Sequence, residues 1–160
     1  MEPQEREFVD RMGLVMERFG GTRTMGRLYA WLMICDPEHR SLTDLAADLG
    51  VSKTMISTVA RQMEGVGMIE RVPTSGREHH YRIVSGGWEH VLKVQLGLVR
   101  LGVEAMDFGL SIVGHDRPEQ RARLRETREF FAFTERDGDE LLQRWRDYRD
   151  QAEEEDRSGP

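Results

Sequence analysis

The sequence predicts a mainly α-helical fold with one small β-hairpin (α+β), and three observations lead there. The stretch from Leu42 to Gln62, LTDLAADLGVSKTMISTVARQ, has the pattern of two short helices joined by a tight turn. The stretch that follows, EGVGMIERVPTSGREHHYRIV, holds two short strand-forming runs separated by a Pro/Ser/Gly turn. Apolar residues recur at helical spacing on both sides of these segments. A helix pair followed by a hairpin is a winged helix-turn-helix, here with N- and C-terminal helices suited to dimerisation.

Two helices that cross tightly need a small residue at the contact, a turn residue tolerant of positive φ, and apolar residues on the shared face. Ala46 supplies the first and Gly50 the second, while Leu45, Leu49, Val51, Ile56 and Val59 supply the third. Ser52 follows the turn and is placed to cap the second helix through its hydroxyl. At about 100° per residue, Met55, Ile56, Val59 and Met63 are expected to pack inward. Thr54, Ser57, Thr58 and Arg61 then fall on the outer face, flanked by Lys53 and Gln62. Such a small, donor-rich surface fits a DNA major groove, with Arg61 suited to guanine and the hydroxyls to bases or phosphates.

Gly67 is placed to stop the second helix in a left-handed cap. A strand is expected over Met68 to Val72 and another around His80 to Val84, with Arg77, His79 and His80 near the hairpin tip. There they are expected to lie along the backbone or in the minor groove. If His79 and His80 meet phosphates, binding should strengthen as pH falls, because only imidazolium is positive.

Before this region, Phe8, Val9, Met12, Val15, Met16 and Phe19 form a helical stripe broad enough to need a partner. A second, largely buried helix follows and ends near Asp36-Pro37. After the wing, Trp88 to Val113 reads as a long helix that is apolar on more than one face and expected to lie between layers. A last helix has Pro118 in its first turn. It carries a seven-residue rhythm, with Leu124, Phe131, Gly138 and Trp145 on one row and Thr127, Thr134, Leu141 and Tyr148 on the next. Gly138 interrupts that seam, either as a kink or as a point of close approach. The organisation expected is N-terminal helices over 1–36, the winged helix-turn-helix over 37–85, dimerisation helices over 86–150 and an acidic tail over 151–160.

The chain has 160 residues and a formal net charge of −6, an unusual balance for a protein that binds nucleic acid. The acidity is uneven. From Val51 to Arg82 there are five Lys/Arg against three Asp/Glu, whereas from Glu135 to Pro160 there are ten Asp/Glu against five Arg. A locally positive face can meet phosphates while acid elsewhere sets the total. The local excess is small, so the working species is expected to be a dimer.

No run approaches the roughly 18 apolar residues of a membrane span, and the N-terminus is acidic and polar where a signal peptide would be basic and then apolar. A cytoplasmic protein is expected, with no membrane partner. The single cysteine, Cys35, sits in the apolar setting WLMICDP, where a raised thiol pKa makes it inert. The histidines lack the paired spacing of a metal site, so neither metal nor cofactor is expected. No phosphate loop, nucleophile elbow or Ser/His or Cys/His arrangement points to an enzyme. The competing reading is a winged helix used for protein contact, as a scaffold or assembly module. A DNA regulator should lose affinity steeply as salt rises, and a scaffold should not.

The segment from Phe8 to Val84 resembles the MarR superfamily of bacterial regulators, in particular its GbsR-like branch. The resemblance rests on Phe8, Met12-Gly13, Gly26-Arg27, Trp31-Leu32 before Asp36-Pro37, the helix-turn-helix, and Gly67 leading into Ile69-Glu70-Arg71. It implies a homodimeric regulator, usually a repressor released by a small molecule, that binds a palindromic double-stranded operator. The reading residues it implies are Ser52, Lys53, Thr54, Ser57, Thr58, Arg61 and Gln62, with Arg77 and His79 in the wing. Two reading helices about 34 Å apart would occupy successive major grooves. The effector cleft it implies draws on Met16, Met25, Tyr29, Trp31, Trp88 and Leu92, a lining suited to an apolar or amphipathic ligand.

Overall fold

The structure is a computed structural model describing residues 1–73 and 78–157. It divides into two compact units, Met1–His90 and Val91–Pro160.

The first unit begins with α1 (Pro3–Arg18) and α2 (Arg23–Ile34). Pro3 opens α1, and the Glu2 amide donates to Glu5 Oε2 at 2.6 Å. Thr22 caps α2 by accepting from the Met25 amide at 3.2 Å. The two helices meet where neither has a side chain. A Cβ on Gly26 would collide with the Met12 carbonyl and lie 2.7 Å from Met16 Cβ and 2.8 Å from Gly13 Cα. The backbones touch there, which only glycine permits.

A short strand β1 (Arg40–Ser41) leads into α3 (Leu42–Leu49) and α4 (Lys53–Gly65). Ser41 caps α3 through the Asp44 amide at 3.1 Å, and Ser52 caps α4 through the Met55 amide at 3.2 Å. Between the helices Gly50 adopts φ +65°, the left-handed conformation expected of that turn. Gly67, at φ +71°, ends α4, and the Met68 amide reaches back to the Met63 carbonyl at 2.9 Å. Strands β2 (Ile69–Val72) and β3 (His80–Ile83) form the hairpin, pairing Ile69 with Ile83 and Val72 with His80. Strand β1 adds to the other edge of β3, giving the antiparallel order β1-β3-β2. Two residues carry no periodicity, and so β1 leaves no trace in the sequence pattern.

Val9, Leu28, Leu45, Leu49, Ile56, Met63, Ile69 and Tyr81 form the fully buried centre of this unit. One inward assignment is corrected. Met55 is 49 % exposed, and Ala60 is the buried residue instead. The inward face of α4 is centred on Ile56, Val59, Ala60 and Met63, which leaves Met55 about a quarter turn to the side.

The second unit holds most of α5 (Gly87–Ile112) and all of α6 (Pro118–Arg157). They run antiparallel. Leu96 packs on Gly138, Gly102 on Phe131 and Gly109 on Leu124, each time a glycine against a larger side chain. Gly138 is thus a point of close approach, and α6 continues through it without a break. Arg128 Nε donates to Asp107 Oδ1 at 2.5 Å and Arg100 Nε to Glu135 Oε1 at 2.8 Å across the pair. Arg121 Nη1 donates to the Leu110 and Val113 carbonyls at 2.7 and 2.6 Å, satisfying the end of α5.

The expectation that α5 is covered on several sides is corrected for the single chain. Val94, Leu98, Leu101, Phe108 and Ile112 are all exposed. The row Leu141, Trp145 and Tyr148 on α6 is exposed as well. Among the described residues, no helix is long and apolar enough to cross a membrane.

Candidate nucleic-acid interface

Helix α4 turns its polar side outward because the opposite side is locked into the core. Ser52, Lys53, Thr54, Thr58, Arg61 and Gln62 are exposed and Ser57 is half-buried. On the wing side of α4 lies an open groove of about 480 Å³. Thr54, Ser57 and Arg61 line one wall, Thr43, Glu78 and His79 the other, and Lys53 stands at the start of the helix. Arg61 Nε donates to the Ser57 carbonyl at 3.2 Å, which lays the guanidinium along its own helix.

Hydrogen bonds tie the wing to the start of α3. The Leu42 amide donates to the His79 carbonyl at 3.3 Å, the Thr43 amide donates to Glu78 Oε1 at 3.3 Å, and the Thr43 hydroxyl donates to the same oxygen. The hydroxyl bond leads the effects that hold the Glu78 carboxyl below the usual carboxylate range, so it is ionised at neutral pH.

Among the described residues of the hairpin, Arg71 and Arg82 are matched by acids. Arg71 Nη2 lies 3.1 Å from Glu64 Oε2 and its guanidinium sits 5.9 Å over the Tyr81 ring. Arg82 Nε lies 2.7 Å from Glu70 Oε1, with Glu38 at 3.8 Å. Of the wing residues singled out in the sequence, His79 is exposed, and Arg77 lies outside the described residues. His80 is placed differently from the expectation. It is half-buried in β3, with its Nδ1 3.1 Å from His39 Nδ1 and the rings edge to face. This pairing leaves no trace along the chain, since His39 and His80 are 41 positions apart. Thr43 and Glu78 were missed likewise, because their contact is made only when the wing folds back on α3.

The residues considered for an effector fall into three settings. Met16 and Tyr29 are buried and Met25 half-buried; Tyr29 meets Trp88 edge to face at 5.8 Å, and Phe19 lies 6.3 Å from Trp88. Burial pushes the Tyr29 hydroxyl up, its bond with the Trp88 indole drawing it part of the way back. Trp31 instead binds Asp48. Leu92 is half-buried in the second unit. Cys35 is buried, and burial pushes its thiol up.

Comparison with known proteins bears on the whole arrangement. The family model for MmpR5-like MarR family transcriptional regulators matches residues 86–148. The HTH-type transcriptional regulator MmpR5 of Mycobacterium tuberculosis (strain ATCC 25618 / H37Rv) is 36 % identical over 135 residues, 84 % of this chain and 82 % of that protein. The chain belongs to the MarR family. A crystal structure described as a transcriptional regulator matches it with a TM-score of 0.71 at 35 % identity, covering 91 % of this chain and 99 % of that one. As a MarR-family member, the protein is a winged-helix transcriptional regulator, and its helical body with a small antiparallel sheet is that family's fold. The identity extends beyond Val84, where the sequence resemblance ended, into the long C-terminal helices.

Proposed function

We propose that this regulator is a homodimeric repressor that reads a palindromic operator with two copies of α4 and leaves it when a small apolar or amphipathic effector binds. The observation that carries this reading is the outward polar face of α4, standing beside an open groove on the wing side. Ser52, Lys53, Thr54, Ser57, Thr58, Arg61 and Gln62 are its contacts from the helix, and Arg77 and His79 its contacts from the wing. Lys53 and the hydroxyls suit phosphates, and Arg61 suits a guanine edge once it swings off the Ser57 carbonyl.

The bare apolar row on α5 gives the second copy a place to pack, and a symmetric pair doubles a reading head whose own charge excess is small. Release follows if the effector favours dimers whose reading helices no longer match the groove spacing. Met16, Met25, Tyr29, Trp31, Trp88 and Leu92 are the effector residues of this reading. The aromatic contacts of Tyr29 and Trp88 give it an apolar core. The GbsR-like placing rests on residues 8–84 alone, and the DNA reading needs only the shared MarR character. The protein would act in the cytoplasm, where its operator is.

Selection from a randomised duplex library tests this reading. Enrichment of an inverted repeat, bound with an affinity that falls steeply between low and moderate salt, is the expected result. Failure to retain any duplex would instead support the scaffold reading.

A further inference from the structure

The reading groove contains a charge of the wrong sign for DNA. Lys53 and Arg61 line it, and so does Glu78, whose carboxylate is held by Thr43. Lys53 is near enough for its charge to be felt at Glu78. Arg71 and Arg82, the remaining described cations between Val51 and Arg82, are spent on Glu64, Glu70 and Glu38. Glu78 therefore removes a large part of the positive charge that the described groove offers to phosphates.

The carboxylate is not the wing's sole tie. Strand β3 is paired along both edges, and the Leu42 amide reaches the His79 carbonyl independently of it. Its bonds from Thr43 fix where the negative charge sits.

We propose that Glu78 is a specificity-determining residue, a fixed negative charge that weakens binding of this groove to backbone phosphates and so keeps the regulator off unrelated DNA. This inference rests on the DNA-reading function proposed above. A phosphate entering the groove meets the carboxylate whatever the sequence. A base edge presenting an exocyclic amino group, as cytosine and adenine do, meets an acceptor instead. The same side chain is thus repulsive to the part of DNA common to all sequences and tolerant of bases that suit it, which is how discrimination is built from repulsion.

The test compares wild type, Glu78→Gln and Glu78→Asp on two duplexes of equal length: the site enriched from the random library and an unrelated sequence. Glu78→Gln is expected to bind the unrelated duplex roughly three- to tenfold tighter, the effect of one unit charge on a nearby phosphate through a partly aqueous path. Its gain on the enriched site is smaller, so the ratio of specific to non-specific affinity falls. The gain shrinks as salt rises, because screening removes a charge effect and leaves a shape effect. Glu78→Asp keeps the charge and restores most of the ratio. Equal loss of affinity on both duplexes, or no change on either, overturns the inference and makes Glu78 a prop for the wing. A wild type that retains no duplex at all overturns the DNA reading, and this inference falls with it.

Discussion

The indole nitrogen of Trp31, near the end of α2, donates to Asp48 Oδ2 in α3 at 2.7 Å. Arg40, in β1, completes the junction. Its Nε lies 3.9 Å from the same oxygen, its guanidinium sits 5.8 Å over the Trp31 ring, and Nη2 donates to the Asp36 carbonyl at 2.7 Å. Three elements are therefore joined by one buried aromatic ring and one ion pair, between the helical base and the reading head. Trp31→Phe removes the donor while the ring volume is largely kept. The expected cost is about 1–3 kcal/mol, because a part-buried carboxylate loses a charge-assisted bond. Asp48→Asn keeps an acceptor and should cost less. Urea unfolding of both variants against wild type gives the order, and equal, negligible losses would show that the bond contributes nothing.

The helix-turn-helix was legible because each of its constraints falls on a distinct residue type: Ala46 at the contact, Gly50 in the turn, Ser52 at the cap. The glycine pair that joins α1 to α2 was visible only as the letters Met12-Gly13 and Gly26-Arg27. Nothing along one strand of sequence says that two glycines 13 positions apart will touch. The same holds in the interface, where the periodicity of α4 marked its outward face but not the wing contacts that shape the groove. Met55 was misplaced because residues a quarter turn from the apolar centre can face either way, and the neighbours that decide belong to other elements. The row on α5 was legible as apolar, while its exposure in the single chain follows from α6 covering only the opposite side.

The pair Asp107 and Arg128 gives the α5–α6 contact a pH dependence. The hydrogen bond from Arg128 holds the Asp107 carboxyl below the usual carboxylate range. A depressed folded value means the unfolded state binds the proton more readily. The contribution is therefore complete above the ordinary carboxylate range and is lost as pH falls through the depressed value. Thermal melts of wild type and Asp107→Asn should differ by a constant amount near neutrality and converge in acid. A difference that grows on acidification would contradict the assignment.

Arg61 is the side chain on the outward face best suited to a guanine edge, and Arg61→Ala separates two roles. If it reads guanine, the loss should be about 1–3 kcal/mol on the enriched operator, with relaxed preference at one base position. Repeating the library selection with the variant reads this directly. Uniform weakening on all duplexes, with a shallower salt slope, would place Arg61 on phosphate instead.

The exposed row on α5 predicts how the proposed dimer can be broken. Val94, Leu98, Leu101, Ala105, Phe108 and Ile112 recur at alternating steps of four and three, the spacing by which one helix packs along another. Leu96, Val99, Val103, Met106 and Leu110 occupy the far side, where Leu96 faces α6, and so the two apolar faces have separate partners. Phe108 and Ile112 are each 66 % exposed, a large apolar surface to leave in water. Leu101→Glu sets a carboxylate in the middle of the row, where pairing would bury it without a partner. Sedimentation equilibrium should then report the mass of one chain at concentrations where wild type has the mass of two, and operator affinity should fall with it. Gln95→Glu adds the same charge to the same helix away from the row and should leave the dimer intact. If Leu101→Glu still sediments as a dimer, the second copy packs elsewhere, and the exposed aromatic row of Trp145 and Tyr148 on α6 becomes the surface to test.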